Sequence, residues 1–330
     1  MRLAMMGTVD DDFLVLAKQL GATDVMGGRG LGLPTHKGYY ELEELVERRN
    51  RIENAGLRLA ALAGVPSDWT DKIKLGLPGR NEQIDNYCKT IRNLGAAGFD
   101  LLGWKHTLPS KNGQFGLRTS QTTRGRGGAS VTGFDYDDVE GTTAECWDPP
   151  AHEPIETTDE QMWDNVTYFL KAVVPVAEQA GVRLALHPDD PPVSPVAGIA
   201  RIFRSHSSLK RLIEIVPSDS NGIGFCQGTM SEMAEDVFDA IRYFGSRNKI
   251  FYVHFRNVTG PVPTFSETFL DEGYVDMLEA MRAYRDIGFD GPIIDDHVPH
   301  VVGDSPRQER SHAYAMGYMK ALRDVVVRGA

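Results

Sequence analysis

The feature that most constrains this chain is a repeated alternation of short apolar runs with longer segments of helical periodicity. Seven runs are too short and too continuous for half-exposed antiparallel strands, and they suit parallel strands buried on both faces. These runs cover residues 3–6, 59–62, 98–102, 183–187, 222–226, 250–254 and 292–296. Alternating strands and helices of this length predict a parallel α/β sheet, either open or closed into a barrel.

The helical segments carry recognisable end signals. Thr158 and Gln161 form a capping-box pattern, in which each side chain can satisfy an unpaired backbone N–H. Gly181 follows the same helix and has the position of a C-terminal cap. Further helices are predicted over residues 82–94, 230–243 and 276–287.

The length of 330 residues fits one large TIM (β/α)8 barrel, and we predict a single domain over residues 1–330. Between residues 110 and 133 the pattern fails, and Gly, Ser, Thr and Arg dominate. This stretch is predicted to be an irregular loop excursion, either functional or solvent-exposed. The glycine-rich segment 27–32 fits a turn better than a dinucleotide-binding loop.

Composition excludes several classes of partner. The formal net charge is −11 and no basic stripe is visible, which argues against nucleic-acid binding. No apolar run is long enough to cross a membrane, and the N-terminus does not resemble a signal peptide. Three widely spaced cysteines, Cys88, Cys146 and Cys226, do not suggest a disulfide framework. We therefore predict a cytoplasmic protein with a small-molecule ligand.

Four of the predicted strands end in a side chain that can bind a metal. These side chains are His187, Cys226, His254 and Asp296. In a barrel the C-terminal ends of all strands meet at one mouth, so residues far apart in sequence converge there. Two imidazoles, a thiolate and a carboxylate suit a divalent transition-type metal. A single His or Cys at a strand end is more often a packed core residue. The prediction therefore depends on four strands all ending in a side chain that can bind a metal.

Spacing alone leaves rival ligands open. They are Asp189, Asp190, Asp295 and His300, which lie close to the four candidates in sequence.

The residues around these candidates form distinctive phrases. They are His187-Pro188-Asp189-Asp190, Gly222-Ile223-Gly224-Phe225-Cys226-Gln227-Gly228, His254-Phe255-Arg256-Asn257 and Asp296-His297. In order and spacing they resemble the mannonate dehydratase family, and about half of the chain matches well.

The resemblance implies a metal-dependent TIM barrel, usually with manganese, that removes water from an aldonic acid to give a 2-keto-3-deoxy acid. It implies a homo-oligomer and places the ligands on the same four residues, with a catalytic histidine at His297. The thiolate of Cys226 is also compatible with Fe2+, Co2+ or Zn2+.

The sequence departs from the family pattern at several positions. The aromatic-rich opening phrase is replaced at residues 5–7, the phrase around the last ligand differs at residues 294–298, and an Asn-rich phrase is replaced at residues 104–109. The C-terminal catalytic tyrosine of the family has no secure counterpart, because His312, Tyr314 and Tyr318 all lie nearby. An altered substrate is therefore compatible with the sequence.

Several residues are candidates for the chemistry. His297 is predicted to act as general acid or base, because imidazole titrates near neutral pH. Tyr314, or alternatively Tyr318, is the candidate for the complementary proton transfer.

A substrate carboxylate also needs a cationic partner. Arg256 shares a strand face with His254 and is predicted to hold this carboxylate, or else to form a salt bridge with Asp189 or Asp190. Arg118 and Lys105 are weaker candidates for the same anion.

Two other functions fit the same residues. A metal-dependent sugar isomerase or epimerase would use a similar barrel to move protons between adjacent carbons. A non-catalytic sugar-acid-binding relative would keep the barrel and lose the chemistry. Loss of one water from the substrate distinguishes the dehydratase from both.

Overall fold

A computed structural model of the chain describes residues 1–108, 117–139 and 156–329. Cys146 and residues 110–116 of the predicted excursion lie outside the described residues. The strands are β1 (Arg2–Gly7), β2 (Asp24–Gly27), β3 (Arg58–Leu62), β4 (Leu101–Trp104), β5 (Ser120–Arg124), β6 (Ser130–Asp135), β7 (Arg183–Leu186), β8 (Asn221–Cys226), β9 (Ile250–His254), β10 (Thr264–Ser266) and β11 (Pro292–Ile294).

Helices follow most of the strands and surround the sheet. They are α1 (Asp11–Gln19), α2 (Leu42–Asn54), α3 (Asp71–Leu75), α4 (Arg80–Ala96), α5 (Asp159–Ala180), α6 (His206–Ile215), α7 (Gln227–Glu232), α8 (Val237–Gly245), α9 (Met277–Asp286) and α10 (Glu309–Arg328). The capping box of Thr158 and Gln161 opens α5, and Gly181 ends it in a left-handed conformation, as predicted. No described helix is both long and apolar enough to cross a lipid bilayer.

Eight parallel strands close into a barrel in the order β1-β11-β9-β8-β7-β4-β3-β2. This confirms the predicted TIM barrel. The register pairs Cys226 with His254 across β8 and β9, and Ile294 with His254 across β11 and β9. The C-terminal ends that carry the candidate ligands are therefore neighbours at one mouth of the barrel.

Two local predictions were wrong. The strand β2 was missed because it begins with an aspartate and runs into a glycine-rich segment, and Gly27, assigned to a turn, is its last residue. The helix predicted over residues 230–243 is two helices, α7 and α8. Ala234 adopts a left-handed conformation between them (φ 59°), and the Asp236 carboxylate then caps α8 by accepting from the N–H groups of Phe238 and Asp239.

The excursion predicted to be irregular contains a second, antiparallel sheet. In the described part of it, β5 pairs with β6, and β6 pairs with β10 from much later in the chain. Local sequence did not indicate β5 because its residues are polar and mostly exposed. Long-range pairing with β10 overrides this weak local preference. The sheet brings Arg118 and Glu267 beside the barrel mouth.

Candidate metal and catalytic site

Three of the four predicted ligands converge at the mouth of the barrel. The donor atoms of His187, Cys226 and His254 all lie within 4.8 Å of one another, and the three side chains are buried. The residues follow or end β7, β8 and β9. Closure of the parallel sheet thus assembles the cluster from positions up to 67 residues apart.

Asp296 lies next to this cluster. Its Oδ2 atom is 3.4 Å from Nδ1 of His254, and its side chain is 11% exposed. Although burial opposes the charged form, His297 and His254 hold the pKa of Asp296 well below its usual value. The carboxylate is therefore ionised and positioned to complete the donor set.

The chemistry of the donor atoms fits a cation. Nδ1 of His187 donates to the carbonyl of Pro188 at 2.7 Å, which leaves Nε2 with a free lone pair. Both ring nitrogens of His254 are buried and have no hydrogen-bond partner among the described residues. Although burial opposes it, the charges of Asp296 and Cys226 raise the pKa of His254 to about 9. A positive charge is therefore favourable at this position, as a metal site requires.

The rival ligands have other partners. Asp189 accepts from the backbone N–H of Phe203 at 2.8 Å, and Asp295 lies 2.7 Å from Nδ1 of His312. His300 pairs through its backbone with Ser130. The side chains of Asp189 and Asp295 are therefore engaged by other groups, and His300 is exposed.

Arg256 occupies the centre of a buried ion-pair network. Its Nη1 lies 2.7 Å from Oδ2 of Asp190, its Nη2 contacts Glu232, and its Nε lies 3.2 Å from Oε2 of Glu267. Its side chain is 1% exposed. The structure therefore places Arg256 in the predicted salt-bridge alternative, with Asp190, and gives its guanidinium no contact surface for a substrate carboxylate.

Arg118 belongs to the same network. Its Nη1 lies 2.6 Å from Asp190 and its Nη2 lies 2.7 Å from Glu267, with no side-chain exposure. The two arginines share these carboxylates and hold the second sheet against the barrel mouth. Like Arg256, Arg118 is engaged by protein carboxylates and is not open to a substrate anion.

Glu232 and Glu267 were missed by sequence reasoning. Glu232 ends α7 and Glu267 follows β10, and both are buried. The one available signal was Arg256 itself, because a buried arginine requires buried counter-charges. Their positions depend on tertiary pairing that sequence spacing does not indicate.

His297 lies beside the donor set. Its Nε2 is 3.5 Å from Asp296 and its Nδ1 is 3.6 Å from Glu267, while the side chain remains 24% exposed. Burial lowers the pKa of His297 below its ordinary value, although Asp296 and Glu267 oppose the shift. Its backbone is left-handed (φ 51°), an uncommon conformation for histidine that recurs at functional sites.

The C-terminal candidates are not brought to the same place. Tyr314 is 41% exposed, and its hydroxyl accepts from Arg126 at 3.4 Å while its ring packs against Phe269. Tyr318 packs against the hydrophobic core. His312 pairs with Asp295, the neighbour of the fourth ligand. Among the described residues, neither tyrosine contacts the donor set.

The chain is similar to known proteins over most of its length. Residues 2–147 and 151–328 match the model of the family described as D-mannonate dehydratase (UxuA). This chain belongs to the D-mannonate dehydratase family. It is 32% identical over 294 residues to mannonate dehydratase 2 of Halalkalibacterium halodurans, covering 82% of each chain. It is 33% identical over 297 residues to mannonate dehydratase of Thermotoga petrophila, covering 81% of this chain and 80% of the relative.

Solved structures also match this chain, one of them from the same family. The crystal structure of mannonate dehydratase from Streptococcus suis serotype 2 matches with a TM-score of 0.86 and 27% identity, covering 100% of this chain and 95% of that one. D-psicose 3-epimerase from Clostridium cellulolyticum H10 matches with a TM-score of 0.64 and 14% identity, which shows a shared fold alone. As a member of the D-mannonate dehydratase family, the chain is a hydro-lyase.

Proposed function

We propose that this enzyme removes water from D-mannonate, or a closely related aldonic acid, to give a 2-keto-3-deoxy acid. The observation that carries the proposal is the convergence of three buried donor atoms within 4.8 Å at the barrel mouth of a D-mannonate dehydratase family member. The proposed ligands are His187, Cys226, His254 and Asp296, and the proposed cation is Mn2+, with Fe2+, Co2+ and Zn2+ as alternatives. A homo-oligomer remains the prediction from the family resemblance, and a cytoplasmic location remains the prediction from the sequence.

The reaction needs a base for the C2 proton and an acid for the C3 hydroxyl. The C2 proton is weakly acidic because it lies beside a carboxylate, so negative charge must be stabilised as the proton leaves. A bound divalent cation supplies this stabilisation as a Lewis acid. The chain itself must position the substrate and move the two protons.

His297 is the proposed acid or base. It is the partly exposed imidazole next to the fourth ligand, with one ring nitrogen facing Asp296 and the other facing Glu267. A carboxylate behind one nitrogen fixes the ring orientation and leaves the proton on a defined atom. Arg256 and Arg118 support this position by neutralising Glu267, and they are positioning residues.

The decisive experiment is incubation of the metal-loaded enzyme with a panel of aldonic and uronic acids, followed by mass spectrometry. We expect D-mannonate, or a close relative, to lose one water. A product of unchanged mass but different retention would instead support the isomerase. No change with any acid, although metal is bound, would support a non-catalytic binding protein.

A further inference from the structure

The buried hydroxyl of Thr229 contacts the sulfur of a proposed metal ligand. Thr229 lies on the short helix α7, three residues after Cys226, and both side chains are fully buried. Oγ1 of Thr229 donates to Sγ of Cys226 at 3.2 Å. Neither the ligand set nor the proton transfers described above use this hydroxyl, so it is an unassigned polar group beside the donor set.

Other hydroxyls in a similar local position bind the backbone instead. Ser231 donates to the carbonyl of Gly228 at 2.7 Å, and Ser208 donates to the carbonyl three residues before it at the same distance. Such a bond to the preceding turn is the ordinary choice of a serine or threonine in a helix. Thr229 has the carbonyl of Cys226 at the same sequence spacing, yet its hydroxyl is directed to the sulfur.

The packing of α7 fixes the place of this hydroxyl. Nε2 of Gln227 donates to the carbonyl of Arg256 at 3.3 Å, and its Oε1 accepts from the hydroxyl of Tyr284 at 3.1 Å. A Cβ atom at Gly228 would lie 2.1 Å from Nε of Arg256, so only glycine allows this close approach. Because Thr229 is also β-branched, its own side chain has few rotamers in the helix. The hydroxyl is therefore held rigidly beside the sulfur.

The chemical form of the sulfur determines what the hydrogen bond does. A cysteine binds a metal as the thiolate, which can only accept, so the hydroxyl of Thr229 must donate. A hydrogen bond draws electron density from the sulfur and weakens the covalent part of a metal–sulfur bond. This covalent part matters more for a soft ion such as Zn2+ than for a hard ion such as Mn2+.

We propose that Thr229 is a positioning residue that sets the metal preference of the site through Cys226. Its hydroxyl holds the thiolate within the donor set and lowers the attraction of the sulfur for soft ions. The site therefore favours Zn2+ over Mn2+ less strongly than the same four ligands would without this hydrogen bond. The inference rests on the proposed metal site, but it does not require turnover of a sugar acid.

The test compares the metal affinities of the full chain and of Thr229→Val, which has nearly the same shape but no hydroxyl. Competition with a chelator gives the Kd of Mn2+ and of Zn2+. Any change in the metal-free protein alters both constants by the same factor and cancels in their ratio. We expect the ratio of the Mn2+ Kd to the Zn2+ Kd to rise about tenfold. Thr229→Ser, which keeps the hydroxyl, should retain the wild-type ratio.

Absorption of the Co2+-loaded protein gives a second readout, which a merely structural role of Thr229 would not change. A thiolate ligand produces a sulfur-to-cobalt charge-transfer band, and this band should move to longer wavelength in Thr229→Val but not in Thr229→Ser. Thr167→Val is the control, because it is the same substitution on α5, outside the barrel. If Thr229→Val does not fold, Thr229→Ala removes the same hydroxyl and gives the same comparison.

The proposal is overturned if a folded variant without the hydroxyl keeps the wild-type Kd ratio and charge-transfer band, or if Thr229→Ser behaves like Thr229→Val. Absence of the band from the wild type would show that Cys226 is not a ligand, which overturns this proposal together with the proposed ligand set. A shifted metal preference together with no turnover of any aldonate would contradict the dehydratase proposal and leave the role of Thr229 standing.

Discussion

Nη1 of Arg256 lies 2.7 Å from Oδ2 of Asp190, and both side chains are almost completely buried. This ion pair connects the strand that carries His254 to the loop that follows His187. Because Arg256 also faces Glu232 and Glu267, it lies against three acidic side chains that have little access to water. The pair is thus a structural support of the metal site.

Replacing Arg256 should destabilise the protein strongly. Arg256→Met removes the cation that Glu232 contacts and leaves Asp190 and Glu267 with Arg118 alone, which costs about 3–5 kcal/mol. Chemical denaturation would measure the loss. Arg242→Met is the matched control, because Arg242 and its partner Asp239 are 60% and 70% exposed, and such pairs contribute about 1 kcal/mol or less. Equal effects of the two variants would contradict the role assigned to Arg256.

Removal of a proposed ligand should release the metal. Cys226→Ala deletes a buried donor at the centre of the cluster, so we expect metal affinity to fall by at least about 10–100-fold and activity to fall with it. Metal content after dialysis, measured by elemental analysis, gives the result. Cys88→Ala is the control, because Cys88 lies on α4 away from the donor set. Retention of stoichiometric metal by Cys226→Ala would exclude the proposed site.

The convergence of three of the proposed ligands was predictable from sequence because the C-terminal ends of the strands meet at one mouth of the barrel. His187, Cys226 and His254 each close a buried apolar run, and parallel strands in a barrel leave one place for such ends to meet. Asp296 lies two residues beyond the end of β11, beside the cluster. No knowledge of side-chain geometry was needed.

The partners of Arg256 were not predictable in the same way. Glu232 belongs to a short helix whose start could not be separated from the next helix, and Glu267 reaches the site through a sheet formed by distant residues. Sequence spacing predicts the direction of the strands, but it does not predict where an inserted sheet packs against the barrel. The sequence therefore left both roles of Arg256 open, a contact with the substrate carboxylate and a salt bridge with Asp189 or Asp190.

The contact between His312 and Asp295 predicts a pH-dependent contribution to stability. Although burial opposes it, the hydrogen bond and charge of Asp295 raise the pKa of His312 above its ordinary value of 6.5. A raised pKa stabilises the folded state at low pH, and this contribution is lost as the pH rises through the folded pKa. His312→Gln should therefore cost more free energy of unfolding near about pH 6 than near about pH 9.

Unfolding titrations at both pH values measure this difference. The control is His36→Gln, at an exposed position. Its free energy of unfolding should equal that of the wild type at both pH values. A cost for His312→Gln that is independent of pH would contradict the charged pair.

Tyr314 should be dispensable for catalysis. Its hydroxyl contacts Arg126 and Asp271 at the surface, and its ring packs on Phe269, so Tyr314→Phe removes polar contacts of an exposed side chain only. We expect kcat within about threefold of the wild type, since exposed polar contacts contribute little. Steady-state kinetics on the substrate identified by mass spectrometry would measure it. A loss of about a hundredfold or more would restore the sequence-based prediction that Tyr314 transfers a proton.

Replacing His297 should impair proton transfer and leave metal binding unchanged. His297→Asn keeps a polar side chain next to Asp296 but cannot exchange a proton near neutral pH, so kcat should fall by about 10²–10⁴-fold. Metal content should remain that of the wild type, because His297 is not among the proposed ligands. His300→Asn serves as the control: its side chain is exposed, and its contact with Ser130 runs through the backbone. If His297→Asn turns over normally, the acid or base lies elsewhere; if it loses the metal instead, His297 belongs to the ligand set.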